Sequence, residues 1–428
     1  MVSLQYNPTN INNMRTTILL FFVMAALGFV SCNDEDDGKY AEYLVAKPIK
    51  MSKAEFKKDV DIIAPIPLNE SGKIYVYGKY IFVNDKYRGV HVVDNSNPKS
   101  PRKIAFIKIP GNVDVSVKGD YLYADSLTDL IVLDISDINN IKMVNRLENV
   151  LRDNVVFPFE VDIYEWQDID YQNDIVIGWE TVKERRLIED VEVQFSREFD
   201  LMLASASQNS APTGQGGSLA RFKIVNDYLY AVDSHNINVF NIQDLGNPKD
   251  LEDVYAGFDI ETIFNRGDQL FLGSMRGMYI YDISSPATPT LISEFQHGTA
   301  CDPVVVDGDY AYVTLRGGNM CGATESGLFI VDISDITNPE LVKTYPMDGP
   351  YGLGVKDEKL FVCDGTSGLK VYDKTDVQNL VQLNHFKDID TFDVIPMEDN
   401  LLMIGEEVIY QYEYLENKIK LISTFKLN

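Results

Sequence analysis

Residues that usually carry hydrolytic, redox or metal chemistry are scarce in this chain. Four cysteines, four histidines and two tryptophans are spread over 428 residues. His91, His235, His297 and His385 fall far apart with no metal-ligand spacing, and HExxH, GxSxG, paired CxxC and P-loop patterns are all missing. Positive charge is also in short supply: 38 Lys and Arg stand against 65 Asp and Glu, a formal net charge of −27. Clustered cations are what hold a phosphate backbone, so nucleic acid is excluded as a partner class. The one long apolar run, Ile18 to Val30, is too short to read as a membrane span. These absences leave no recognisable catalytic centre, cofactor site or metal site, and they point to a non-catalytic protein.

What is present is a repeat. GLFIVDISDITNP at Gly327 to Pro339 recurs as GVHVVDNSNP at Gly89, DLIVLDISDI at Asp129 and NINVFNIQDLGNP at Asn236. Further copies are GMYIYDISSPATP at Gly277, GLKVYDKTDV at Gly368 and a worn EVIYQYEY at Glu407. Alternating apolar positions make each copy a half-buried strand that ends in Asp or Asn and enters a Ser/Asp/Asn/Pro turn. The motif's Asp column falls at Asp94, Asp134, Asn241, Asp282, Asp332, Asp373 and Tyr412, with gaps of 40, 107, 41, 50, 41 and 39 residues. A Tyr- and Val-rich strand precedes each motif, one more strand precedes that, and a fourth follows the turn. Four short strands per unit of about forty residues, seven times over, predict an all-β, seven-bladed β-propeller of four-stranded blades. The motif Asp, repeated so regularly, is expected to bond turn amides and not to catalyse.

GLFIVDIS and its relatives resemble the LVIVD repeat of propeller-like bacterial surface proteins. The similarity covers roughly residues 73 to 428 apart from one insertion, and it implies a fold and an exported location without implying shared chemistry.

In chain order, residues 1–32 read as a lipoprotein signal peptide. FVSC resembles a lipobox, which makes Cys32 the lipidated first residue of the mature chain, anchored in the outer membrane and facing the cell exterior; translation starts at Met1 or Met14. NDEDDG (Asn33 to Gly38) resembles the export tag of surface lipoproteins, and residues 33–60 are expected to form an acidic and polar tether. The propeller occupies 61–428, with Asp61 to Leu68 placed where first and last blades meet. The 107-residue gap puts an insertion at about 151–219. Its first part, around Val161 to Trp166, Asp174 to Val182 and Leu187 to Phe195, predicts a projecting β-ribbon. Its second part, Ala204 to Ser218, predicts a mobile loop.

Both tryptophans, Trp166 and Trp179, lie in the insertion, where exposed indoles would suit a glycan or a protein partner and buried ones would pack the ribbon. Three pairings are open to Cys301, Cys321 and Cys363; in an exported protein Cys301 and Cys321, in one repeat, are natural disulfide partners, leaving Cys363 a buried thiol.

Repeat geometry places any site at the loops around the central channel. Loops after the second strands offer Asp85, Asp125, Asp233, Arg316, Asp364 and Glu406. Loops entering the first strands offer Asp114, Arg221, Glu261, Asp302 and Asp393. The expectation is a mostly acidic funnel with two arginines, holding a polar ligand or a cation. Three functions compete: a surface protein that binds a glycan or protein, a lyase or glycosidase working in the funnel, and a structural scaffold of an outer-membrane complex.

Overall fold

The computed structural model describes residues 40–58, 60–152, 154, 158, 161–188, 213–296, 303–317 and 326–428. The expectations for Cys32, for the export tag, for Asp302 and for the Cys301–Cys321 pairing therefore lie outside the described residues.

The fold is all-β and propeller-like. Among the described residues there are eight sheets, and seven of them contain an antiparallel meander of four strands taken in sequence order. Sheet one holds Ser71–Tyr77, Tyr80–Asp85, Gly89–Asp94 and Arg102–Lys108, and sheet two runs from Val115–Lys118 to Lys142–Leu147. Sheets three to seven begin with Phe222–Val225, Ile260–Arg266, Val304–Asp307, Leu353–Lys356 and Asp393–Pro396. These first strands meet one another in succession around a central axis.

Short local signals build each sheet. First and second strands are joined by two-residue turns whose leading residue is left-handed: Gly78, Gly119, Asn226, Gly267, Gly308 and Asp357 have φ between 51° and 57°. That conformation matches the twist of a hairpin and suits Gly, Asn and Asp. At the end of five of the third strands, the motif Asp turns back on the chain as expected: Oδ1 of Asp94, Asp134, Asp282, Asp332 and Asp373 accepts from the amide two residues on, at 2.8–3.0 Å. Asn241 does the same from Gln243 at 2.9 Å. Hydrogen bonds to Ser96, Ser136, Ser334 and Thr375 hold the carboxyls of Asp94, Asp134, Asp332 and Asp373 below the usual range.

Neither face of a single sheet could stay in water, because both carry fully buried apolar residues. Separate core clusters lie between sheets one and two, two and three, three and four, four and five, five and six, and six and seven. One further cluster joins sheet seven (Ile395, Leu402, Ile404, Ile409, Leu427) to sheet one (Ile74, Ile81, Val83, Val93) and includes Leu68. Buried tyrosines tie neighbours together: the Tyr123 hydroxyl donates to Leu245 O and that of Tyr230 to Pro286 O, both at 2.8 Å. Asp61 to Leu68 sits at the seam as expected. Asp61–Ile63 pairs with the outer strand of sheet one, and the Leu68 amide bonds Leu427 O at 3.1 Å.

Two expectations need correction. Residues 40–52 are not tether: Tyr40–Ser52 is a long strand, followed by a short capped helix, Lys53–Phe56. Nor do the described strands of the insertion form a ribbon of their own, and the strand expected at Leu187 to Phe195 lies outside the described residues from residue 189 on. The insertion's strand Asp174–Leu187 pairs antiparallel with Tyr40–Ser52, and Ile163–Tyr164 joins the other edge in parallel, making the eighth sheet. The reason is burial. Ala46, Val161 and Trp179 pack with Tyr87 and Val113, two residues of the loops at one end of sheets one and two, so the eighth sheet becomes a cap on that end. Gly178 allows it, since a Cβ there would lie 2.0 Å from the Tyr87 ring.

Candidate functional site

The expected mobile loop is also corrected where it is described. Thr213 to Ala220 runs down the axis and closes the channel. Gln215–Gly216 adds to the inner edge of sheet one, pairing with Tyr75 and Val76. Its contacts circle the axis: Gly214 N to Val117 O of sheet two (3.0 Å), Ile263 N of sheet four to Ala220 O (2.9 Å), and Leu353 N of sheet six to Ser218 Oγ (2.8 Å). Gln215 Nε2 reaches Pro396 O of sheet seven at 3.3 Å. Glycine, serine and glutamine read as loop residues in the sequence, yet small size and hydrogen-bonding capacity are what a strand inside a polar channel needs.

With the axis filled, a concavity remains at the mouth under the eighth sheet. A cavity of about 520 Å³ opens there, lined among others by Lys73, Arg221, Glu261, Arg316, Tyr351 and Trp179. The volume is that of a small-molecule cleft.

The carboxylates expected to make this funnel acidic are mostly committed to the backbone. Asp125 Oδ1 accepts from the amides of Val113 and Asp114, both at 2.9 Å. Asp85 accepts from Asn69 and Glu70, and Asp364 from Asp348 and Gly349, at 2.9–3.2 Å. Asp233 Oδ1 accepts from His235 and Asn236 at 2.9 and 2.7 Å. Each is thus a turn-fixing group at the end of a second strand. Asp114 joins sheets two and three through the amides of Arg221 (2.5 Å) and Phe222 (3.1 Å), and burial lifts its carboxyl against the pull of Lys73. Glu406 is exposed, and Ser71 Oγ bonds its carbonyl and not its carboxylate.

The cavity itself is edged by cations: Lys73, Lys86, Arg221 and Arg316 face it, against Glu70, Asp259 and Glu261. Glu70 is paired with Lys86, and Asp259 lies 3.6 Å from Arg276. The lining thus carries four cations against three carboxylates, where the sequence expectation is a mostly acidic funnel with two arginines. Lys73 is absent from the expected residues because it opens the first repeat. It stands five positions before the first hairpin turn, the same offset as Asp114, Arg221 and Asp393 from theirs, and that column would have found it.

Burial tunes these groups. The Lys73 ammonium is pushed down to about 8 by desolvation, opposed by Asp114. Desolvation raises Glu261 to about 7, opposed by Arg221 and Lys73, and Glu261 Oε1 has no hydrogen-bond partner. Asp393 is likewise raised to about 7 by burial; its Oδ1 accepts from Val394 N at 2.9 Å and Ser218 Oγ at 3.3 Å, while Oδ2 has no partner. Arg316 Nη1 donates to the Tyr351 hydroxyl at 2.7 Å and its guanidinium lies 4.2 Å from that ring's centre. Of the two tryptophans, Trp179 is buried against the cavity and Trp166 is 45 % exposed beside it, their rings edge to face at 4.7 Å. Cys363 is a buried thiol, raised well above its ordinary value by desolvation.

Asp393 carries a pH signature. A carboxyl raised from 3.8 to about 7 binds more protons folded than unfolded, so its contribution is complete below pH 4 and fades as pH rises through 7. Asp393→Asn, neutral at every pH, should flatten this decline by an amount on the order of 4 kcal/mol between pH 4 and 8. Urea unfolding of both proteins at several pH values measures it; parallel profiles would contradict the assignment.

Solved structures resemble the chain at low identity. The computationally designed Ika8 protein is 10% identical, with 86% of this chain and 90% of that one covered, at a TM-score of 0.48. A protein from Lactobacillus plantarum is 12% identical over 76% and 88%, at 0.49, and Kluyveromyces lactis Hsv2 is 11% identical over 84% and 100%, at 0.46. No curated protein matches the chain. Residues 70–105, 111–148, 266–296 and 297–346 match the family model of the LVIVD repeat. With strand, Asp and turn recurring in register in the folded chain, this is a protein that carries LVIVD repeats.

Proposed function

We propose that the chain is a lipid-anchored, cell-surface binding protein, a closed seven-bladed β-propeller without catalytic chemistry that takes its ligand in the cavity between channel mouth and eighth sheet. The observation that carries this reading is the joint wall of that cavity. Aromatic Trp179 and Tyr351 line it together with cationic Lys73, Arg221 and Arg316, with Arg316 lying over the Tyr351 ring, and the axis below is filled. Apolar ring faces beside charged donors suit a glycan. Closure into seven blades is supported by the core cluster between sheets seven and one. The anchor and outward location rest on Ile18 to Cys32 and the acidic run after it, and export would favour the Cys301–Cys321 disulfide.

The glycosidase alternative needs two carboxyls facing one bond. Asp114 and Asp393 are tied to backbone amides, and of the three carboxylates that line the cavity Glu70 is paired with Lys86 and Asp259 lies beside Arg276, which leaves Glu261 without a second unpaired acid. A second reading, docking of a protein in a surface scaffold, draws on Trp166, Tyr171 and Ile188, large hydrophobics left exposed on the insertion.

A screen of glycans and surface proteins against the chain, followed by Trp fluorescence, separates the two. A glycan that changes Trp179 emission in a Trp166→Phe protein supports the cavity. Partners that bind only through Trp166 and leave Trp179 unchanged would overturn it in favour of docking.

A further inference from the structure

We propose that the cavity is built for a carboxylate-bearing saccharide, with Lys73 and Arg221 as the pair that holds the anion; this rests on reading the cavity as the ligand site. The chain as a whole is strongly acidic, at −27, so a cavity lined by four cations against three carboxylates is a local departure that needs a cause. Glu70 and Asp259 do not cancel it, each lying beside its own cation, Lys86 and Arg276.

Lys73 and Arg221 are different. Neither forms an ion pair with a described carboxylate. Lys73 Nζ donates to Leu219 O, which uses one of its three hydrogens. Arg221 is only 8% exposed, and its guanidinium bonds through Nε to Val232 O at 3.2 Å. Its two Nη groups, which form the fork that matches a carboxylate, are not taken up by any described residue. A buried cation held without a counterion is costly unless an anion completes it.

The internal acids act on this pair only through space, Asp114 on Lys73 and Glu261 on both, and none is in ion-pair contact with it. Asp114 turns its Oδ2 to the amides of Arg221 and Phe222, and Asp393 lies behind Gly217, outside the cavity lining. Glu261, whose Oε1 is unpartnered, is shifted by burial toward its protonated form, in which it would donate to a sugar hydroxyl. Trp179, only 4 % exposed, borders the cavity as part of its apolar wall. An anion in this cavity would thus meet two cations, and the rings attached to it an aromatic surface.

The test is titration of the full chain carrying Trp166→Phe, so that Trp179 alone reports, with a uronate trisaccharide, its carboxyl-reduced neutral counterpart and inorganic phosphate. The uronate should change the emission saturably and bind at least ten-fold more tightly than the neutral sugar. Arg221→Met and Lys73→Met should each weaken it at least ten-fold, with Arg221→Lys intermediate. Asp114 is held by the Arg221 backbone amide, so its bonds survive Arg221→Met; thermal melts identify any variant that fails to fold, and the Lys73 variant then decides.

Equal binding of the reduced sugar would overturn the anion assignment and leave the cavity reading standing. Phosphate binding without the uronate would overturn the saccharide. Uronate binding unaffected in both Met variants would overturn the pair. No response to either sugar would overturn both readings.

Discussion

Gly217→Leu is expected to expel the strand that fills the channel and to lower stability by about 3–5 kcal/mol, from overpacking of roughly 1–3 kcal/mol and the loss of several hydrogen bonds near 1 kcal/mol each. A Cβ at Gly217 would lie 1.9 Å from Asp393 Oδ2 and 2.4 Å from its Cγ. The carboxyl cannot retreat, because Gly352 presses from another direction: a Cβ there would lie 2.2 Å from Asp393 Oδ1. Asp393 is clamped between two glycines, and side chains at either would strand Leu353 N and Ile263 N, which now bond Ser218 Oγ and Ala220 O. Urea unfolding measures the loss. The steric cause has its own check, since Asp393→Ala in a Gly217→Ala background should recover part of what Gly217→Ala loses; strict additivity would point to some other cause.

Gln411→Ala should cost about 3 kcal/mol or more, by leaving several buried or half-buried polar groups without partners. Gln411 is fully buried in the third strand of sheet seven, and its amide is used completely. Nε2 donates to Asn95 Oδ1 at 2.8 Å and Pro98 O at 3.1 Å, while Oε1 accepts from Asn95 Nδ2 at 3.1 Å and Asn400 Nδ2 at 3.0 Å. Asn95 and Pro98 belong to the turn of sheet one, so this one side chain joins the last repeat to the first. Because each sheet buries its faces only against neighbours, weakening the seam should lower the midpoint of a single cooperative transition. A change under about 0.5 kcal/mol, within the usual scatter of surface substitutions, would mean that the seam carries no such network.

The strands were legible because each copy keeps its alternation. GLFIVD announces a strand with Leu328 and Ile330 on one face, and both are fully buried. Turn chemistry was equally plain at Gly119–Asp120 or Asn226–Asp227. The partner of Asp174–Leu187 was not legible, since Tyr40–Ser52 lies more than a hundred residues away and mixed polar patterning gives no sign of long-range pairing. The charge balance of the funnel was misjudged for a different reason. Asp125 and Asp364 do stand where the repeat geometry puts them, but sequence does not reveal that loop amides consume their oxygens. Lys73 shares its offset with Arg221 and was passed over because it opens the first repeat. The channel strand was hidden by its own composition: a stretch such as TGQGGS looks like a linker until Asp393 is seen to require glycine beside it.

A crystal structure of the full chain grown with the uronate trisaccharide examines the whole account in one measurement. It should show sheet seven joined to sheet one through Gln411 and Asn95, Thr213 to Ala220 lying along the axis, and the sugar carboxylate between Lys73 and Arg221 under Trp179. An open arc of sheets, an axis free of that strand, or a sugar resting outside the cavity beside Trp166 would contradict it.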